Sequence, residues 1–462
     1  MLLTRLIDAL GDDAVKSQPE DLSVYSFDAY TQGPLPAAVV LPSTTAEVSA
    51  VVKIAREFNQ PVVPRGAGTG LCGGATATRG GIVVACTRMN RVLELDLAHR
   101  RARVQPGVIN AELSAQVVAD RLFYAPDPSS QSISTIGGNI ATNAGGPHCL
   151  SYGTTMNHVL ALEVVDDRGE VFLTDIDRPG YDLTAAMVGS EGTLGIVTSA
   201  WVRLMRAPES VRVWLATFDD VESASSAVSA IIAAGIVPSA LEMMDAIATR
   251  AVEAAFHAGY PTDAGAVLLI EHAGLEEDMN LVESAIEAIA RESGASSWRS
   301  ARSQTERNLL WAGRKGAAGA MGRVAPNYYL QDVCVRRSTL PQALHAVGEI
   351  ARAYHLTVAN VFHAGDGNLH PMICYDRSDV KQVQAVVESG NEILKMAIAL
   401  GGTVSGEHGI GIEKRDAMRA VYSTDDLATM ARVREVFDPR QMLNPEKIFP
   451  AGTQCAEVRA PQ

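Results

Sequence analysis

No C-x-x-C pair occurs in this chain. Its six cysteines (Cys72, Cys86, Cys149, Cys334, Cys374 and Cys455) are scattered over 462 residues. That spacing excludes an encoded iron–sulfur cluster and a disulfide framework, and it points to reduced thiols in a cytosolic protein. Positive charge is in deficit: 39 Lys+Arg against 53 Asp+Glu leave a formal net charge of −14. The deficit argues against non-specific nucleic-acid binding and against a polybasic membrane anchor. No apolar run approaches the roughly 20 residues a spanning helix needs. The nearest, 227–241, is interrupted by Ser229, Gly235, Pro238 and Ser239. The start, Met1-Leu2-Leu3-Thr4-Arg5-Leu6-Ile7-Asp8, has no signal-peptide apolar core. A cytoplasmic location is therefore expected, with any membrane contact peripheral or made through partners. What remains is 47% hydrophobic and 20% charged residues, an ordinary globular composition at a length for two or three domains.

Two stretches carry chemistry. The first is Val361-Phe362-His363-Ala364-Gly365-Asp366-Gly367-Asn368-Leu369-His370, followed by Pro371-Met372-Ile373-Cys374-Tyr375. It reads as strand, turn and strand, with Asp366-Gly367 as the turn, and such a hairpin can bring His363 and His370 together. The second is Ser405-Gly406-Glu407-His408-Gly409-Ile410-Gly411. A carboxylate from Glu407 would complete a His/His/Glu metal set of the kind catalytic zinc uses, with iron and manganese compatible. His408 would then be free to move protons. Histidines in Gly-Asn loops also cap turns or pair with carboxylates, and for either stretch alone that reading stands beside the metal one.

Along the chain, strand and helix signals alternate. An amphipathic helix (Leu2, Leu3, Leu6, Ile7, Leu10) opens the sequence, and a strand at 37–42 leads to a helix that Ser43-Thr44-Thr45 caps and Glu47 favours electrostatically. Strands are expected at 61–64, 81–86, 92–96, 101–105, 159–166 and 170–174, with a helix at 110–120. Residues 205–210 read as a linker. Beyond them come strand–helix units (211–218, 236–243, 266–271) and a long acidic helix at 275–292, an antiparallel sheet covered by helices. Residues 438–447 are expected to close the chain with a helix and turn.

Three glycine-rich tracts fall within about 130 residues: Arg65-Gly66-Ala67-Gly68-Thr69-Gly70, Ile136-Gly137-Gly138-Asn139 continuing to Asn143-Ala144-Gly145-Gly146, and Gly189-Ser190-Glu191-Gly192-Thr193-Leu194-Gly195-Ile196. Glycine lets backbone N–H groups face an anion without a Cβ in the way. The first tract looks like a pyrophosphate cradle. It is neither the strand–helix dinucleotide fingerprint nor a P-loop, because no helix is expected after Gly68-Thr69-Gly70-Leu71-Cys72-Gly73 and no Gly-Lys-Ser/Thr follows.

Together with Pro126-Asp127, these tracts resemble the FAD-binding domain of the vanillyl-alcohol oxidase/p-cresol methylhydroxylase superfamily. The His363…His370 and Glu407-His408 elements resemble its D-2-hydroxy-acid dehydrogenase branch. Tyr124-Ala125-Pro126-Asp127-Pro128-Ser129-Ser130-Gln131, Leu241-Glu242-Met243-Met244-Asp245, Trp311-Ala312-Gly313-Arg314-Lys315 and Ala359-Asn360-Val361-Phe362-His363 are similar to the FAD-linked subunits of bacterial glycolate oxidases. The resemblance implies an α+β fold: a two-subdomain FAD-binding domain (1–208), an α+β cap with an antiparallel sheet (209–400), and a C-terminal segment (401–462) that returns to the FAD domain. It implies FAD contacts from Arg65, Gly66, Ala67, Gly68, Thr69, Gly70, Pro126, Asp127, Gly137, Gly138, Asn143, Gly145, Gly146, Glu191, Gly192, Gly195, Ile196 and Asn444. Relatives that bind FAD covalently often carry a histidine in the first loop; Thr69 stands there in this chain, so non-covalent FAD is expected.

The reaction so implied is oxidation of a small 2-hydroxy acid, glycolate to glyoxylate, with D-lactate as the alternative substrate. Arg314 matches the position that holds the substrate carboxylate, and a guanidinium is the natural fork for one. Related 2-hydroxyglutarate dehydrogenases have a lysine in the strand corresponding to Tyr328-Tyr329-Leu330-Gln331-Asp332; its absence here fits a substrate with one carboxylate. Arg323, Tyr328 and Tyr329 are further pocket candidates. The implied partners are a related FAD-domain subunit and an iron–sulfur subunit of a glycolate oxidase complex. A non-catalytic FAD-binding subunit and a metal hydrolase are the competing readings.

Overall fold

The computed structural model describes residues 1–451, so Cys455 lies outside the described residues. The other five cysteines form no disulfide among the described residues. The chain divides into two compact units: Met1–Gly146 with Gly153–Ala207 and the residues from Glu407 onward, and Pro147–Tyr152 with Pro208–Gly406. Residues 401–406, grouped by sequence with the C-terminal segment, thus belong to the second unit.

Two larger sheets and one two-stranded pairing build the first unit. One has four strands in the spatial order Val15–Lys16, Ala38–Val40, Ile82–Ala85, Val62–Arg65; the last three are parallel. The helix Thr45–Glu57 connects two of them, as parallel pairing requires. Thr44 caps it by accepting from Glu47 N, and Glu47 in turn accepts from Ser43 N, a reciprocal arrangement that satisfies orphan helix donors. Its face of Val48, Val51, Val52, Ile54 and Ala55 is buried against the sheet and against Leu6 of the helix Leu2–Leu10. The second sheet is antiparallel, Val92–Asp96, Arg101–Val104, Ile196–Arg203, Val159–Val165, Val171–Asp175, and it has its own apolar cluster around Leu113, Ile136, Ile140, Leu162 and Val202.

The second unit is an antiparallel sheet of nine strands. Its central run is Ser210–Phe218, Ala266–Gly274, Ala240–Asp245, Thr357–His363. Both faces carry helices, and the strands are accordingly apolar nearly throughout: every residue of Ala240–Asp245 is buried. On one face Ala248, Val252, Leu310 and Ala317 pack on Leu269, Met244 and Val361.

Four expectations change. The strand read from 236 begins at Ala240 and runs to Asp245. Met205–Arg206, read as linker, pairs with Leu122–Phe123, and Ser210 already begins a strand. The acidic helix starts at Met279 after a short turn of 3-10 helix. Asp438 to Lys447 contains no helix; the helix Thr424–Phe437 precedes it. Asp438 accepts from Met442 N and Leu443 N, while Pro439 and Pro445 deny the segment helical donors.

Candidate active site

In the first unit each glycine tract touches the other two. A Cβ on Gly66 would lie 2.4 Å from Thr135 Oγ1, and one on Gly192 would lie 2.3 Å from Pro64 Cγ. Gly189 N and Glu191 N donate to Ile140 O and Ala141 O at 2.8 and 2.7 Å. Gly146 approaches Asp127 so closely that a Cβ there would lie 2.5 Å from its carbonyl. These are close approaches to glycine backbone that a Cβ would forbid.

The loop fits an anion. The amides of Gly66, Ala67, Gly68, Thr69 and Gly70 donate to no acceptor among the described residues, and Gly68 sits at φ +74°. Beneath them the Arg65 guanidinium is buried, bonded to Ala75 O and stacked on Tyr25. Asn139 Nδ2 and Asn444 Oδ1 are buried without hydrogen-bond partners, atoms that a bound polar group would satisfy. Asn444 Nδ2 donates to Gly74 O and Glu191 O, which fixes that side chain over the tracts.

Other expected cofactor residues also have partners within the protein. Glu191, at φ +51°, uses its N toward Ala141, its O toward Asn444, and its carboxylate toward Ile410 N (2.7 Å) and Gly411 N (2.9 Å). Burial pushes that carboxyl up in pKa, while the two amides oppose the shift. Asn143 caps the helix Ile136–Thr142 and accepts from Met156 N. Gly137 and Gly195 pack on Pro106 and Val164, and Ile196 is core. The segment carrying His408 is held close to the first tract: Ile412 N donates to Cys72 O, and a Cβ on Gly411 would lie 2.0 Å from that carbonyl.

In the second unit the hairpin forms as its residues dictate. Thr357–His363 pairs with Pro371–Tyr375, and Gly367 turns the chain at φ +76° against Val335 O, where a Cβ would lie at 2.1 Å. His363 and His370 meet edge to face, ring centroids 5.1 Å apart, with ligand-type nitrogens within 4.8 Å. The neighbouring strand supplies a group that sequence reading gave no role. The register places Glu242 opposite His363, and its carboxylate lies 2.8 and 3.0 Å from His363 Nδ1. A carboxylate only accepts, so Nδ1 donates and the lone pair resides on Nε2. The charge of Glu242 is also met by Arg314, whose Nη2 lies 2.5 Å from Oε2; the two side chains are 5% and 0% exposed. Arg314 Nε has no hydrogen-bond acceptor.

Asp332, fully buried, is the second unassigned carboxylate. Its Oδ1 lies 3.4 Å from His370 Nε2. It accepts from Ser405 Oγ at 2.8 Å and from Gly406 N at 3.1 Å, which fixes the backbone immediately before Glu407. Cys334 and Cys374 do not act as thiolates, because burial, reinforced by neighbouring carboxylates, pushes both up to about 11. Arg323 and Tyr328 are exposed, and Tyr329 is half-buried.

Residues 207–448 match the model of the C-terminal domain of FAD linked oxidases, and residues 36–175 match an FAD binding domain. The glycolate oxidase subunit GlcD of Escherichia coli K12 is 44% identical over 447 residues, covering 96% of this chain and 89% of that one. Its Bacillus subtilis counterpart is 41% identical, covering 96% of each. The chain belongs to the FAD-linked oxidase family. A D-lactate dehydrogenase of Anaerostipes hadrus is a more distant member at 33% identity over 89% of each chain. This family member's fold is of the p-cresol methylhydroxylase type: that enzyme's substrate-bound crystal structure superposes with TM-score 0.80 over 97% of this chain and 96% of the other at 17% identity, a likeness of fold alone. Among the described residues no helix is long and apolar enough to cross a membrane.

Proposed function

We propose that this FAD-linked oxidase oxidises a small 2-hydroxy acid to the 2-oxo acid, with glycolate preferred over D-lactate. The observation that carries the reading is the paired imidazoles of His363 and His370 in the same unit as a buried arginine whose Nε has no acceptor. FAD, when bound, accepts the substrate hydride. The free amides of Gly66–Gly70 would hold its pyrophosphate, with the tracts at Gly137-Gly138 and Gly145-Gly146, the Pro126-Asp127 turn and Asn444 completing the cofactor shell. Thr69 offers no imidazole for a covalent link.

His363, His370 and Glu407 would hold a divalent cation, zinc first among the choices, which lowers the pKa of a coordinated hydroxyl. His363 presents Nε2 because Glu242 takes its Nδ1 proton. Asp332 steadies the main chain ahead of Glu407 through Gly406. Arg314 orients the substrate by pairing its carboxylate with the guanidinium, whose Nε has no acceptor among the described residues. His408 takes the hydroxyl proton as general base, a role imidazole fills at neutral pH. No lysine stands in the Asn327–Leu330 strand to receive a second carboxylate, which favours a monocarboxylate. The names of the relatives at 41–44% identity favour glycolate, and those names also describe subunits. Electrons are therefore assigned to partner subunits, a related FAD-domain chain and an iron–sulfur chain, in the cytoplasm. A hydrolase would have no use for the empty-handed amides of the first tract, and a purely FAD-holding subunit would have none for the buried Arg314.

The test is anaerobic reduction of the bound flavin by a panel of 2-hydroxy acids with and without chelator. Bleaching by glycolate that is lost on chelation is the expected result. A colourless folded protein, or turnover unchanged in His408→Ala, would overturn the proposal.

A further inference from the structure

The second unit contains one buried carboxylate that serves two functional groups at once. We infer that Glu242 is a positioning residue that sets the metal-binding face of His363 and the substrate-binding face of Arg314 together; this rests on the metal reading proposed above. Its location is unusual for an acid. It sits in the centre of a strand whose six residues are all buried, between two other strands of a nine-stranded sheet. A carboxylate is excluded from such a place unless its charge is met. Its partners are His363 on the adjacent strand and Arg314 on the helix Gln304–Lys315 that packs on the same side of the sheet.

Each contact constrains a different function. The bond to Nδ1 fixes the imidazole tautomer and ring plane, so Nε2 is held as a ligand before any ion arrives. The ion pair holds the guanidinium inside the core with Nη2 against Glu242 and Nε unmatched. The helix allows that reach because Gly313 and Gly316 bring it tightly onto Tyr260 and Phe256, where a Cβ would lie 2.9 and 2.0 Å from the rings. A second carboxylate repeats the theme along the same face. Glu271, opposite Ala240, accepts from Trp311 Nε1 at 2.7 Å and contacts His148 Nε2 at 2.8 Å. Trp311 and Arg314, one turn apart on a single helix, are thus each tied to a strand carboxylate.

The experiment uses the FAD-loaded protein and the substitution Glu242→Gln, which keeps shape and one acceptor oxygen but removes the charge. Zinc affinity is read by competition with a chromogenic chelator, and KM and kcat for glycolate are read separately. The expected result is zinc binding weakened by about 10–100-fold and a KM raised by about tenfold or more, with FAD content unchanged. A variant that folds, binds zinc within twofold of wild type and keeps its KM would overturn the inference. If Glu242→Gln does not fold, Glu242→Asp decides: it retains the charge but withdraws the carboxylate by one methylene, and wild-type zinc affinity in it would equally overturn the inference. Wild-type protein that takes up no zinc, iron or manganese would sink the metal reading itself and this inference with it. Normal uptake with an unaltered variant would sink this inference alone.

Discussion

Replacing Arg314 by methionine should destabilise the second unit far more than a surface arginine would. The guanidinium is 5% exposed and the Glu242 carboxylate 0%, with 2.5 Å between Nη2 and Oε2. Methionine fills much of the space, so the cost comes from the carboxylate left behind. Stranding one member of a buried ion pair costs about 3–5 kcal/mol. For a unit of about 200 residues, where each kcal/mol moves Tm by about 2–4 °C, the midpoint should fall by roughly 6–20 °C. Trp214, Trp298 and Trp311 lie in this unit and only Trp201 in the other, so tryptophan fluorescence reports mainly the transition of interest.

The origin of the loss can be separated from lost packing. Adding Glu242→Gln should restore about 2 kcal/mol or more, because it removes the unpaired charge. A single variant melting with wild type, or a double variant no more stable than the single, would each refute this reasoning.

Lys447 supplies a pH test in the first unit. Burial pushes its amine down to about 8 against the pull of Asp28 and Glu191, whereas the unfolded lysine holds its proton to about 10.4. The unfolded state therefore binds more protons between those values, and wild-type stability relative to Lys447→Met should climb from pH 8 to about 10.4 in urea titrations; a flat difference would contradict the burial. Gly68→Ala places a Cβ 2.2 Å from Arg65 Nη2 at φ +74°, so FAD affinity should fall at least about tenfold, a loss near 1.4 kcal/mol, read as flavin fluorescence released on dilution. Gly406→Ala drives a Cβ to 2.3 Å from the Asn368 amide, itself buried. The backbone from Ser405 onward must yield, and metal content by mass spectrometry should drop below half while FAD is retained.

Much of this architecture is legible in the residues because it is set locally. Thr44 and Glu47 announce the start of their helix, apolar period fixes its buried face, and Asp366-Gly367 turns the hairpin that unites His363 with His370. The glycine tracts were legible as a class, since free amides need the absence of Cβ. Individual roles within them were less so. Glu191 looks like a cofactor ligand in sequence, yet its oxygens are engaged by Ile410 and Gly411, more than 200 positions away. No local pattern encodes such a bond. The same holds for Met205–Arg206, whose pairing with Leu122–Phe123 depends on a partner about 80 residues earlier.

Glu242 marks a different case, because a signal existed and was of another kind. Ala240-Leu241-Glu242-Met243-Met244 breaks an apolar strand with a charge, and periodicity rules treat such a break as noise or as an outward-facing position. In a sheet covered by helices on both faces no outward position exists, so the acid must turn toward something that meets its charge. Buried acids therefore become readable once the sheet is known to be two-sided: they point to the cation or imidazole on the adjacent strand or helix. By that reasoning Glu242 leads to His363 and Arg314. Asp332, fully buried, leads likewise to His370 and to the Ser405-Gly406 turn. Both acids lie against the same histidine pair. Four charges or imidazoles would not be gathered there at such desolvation cost for stability alone, since apolar residues of equal volume would hold the sheet as well or better.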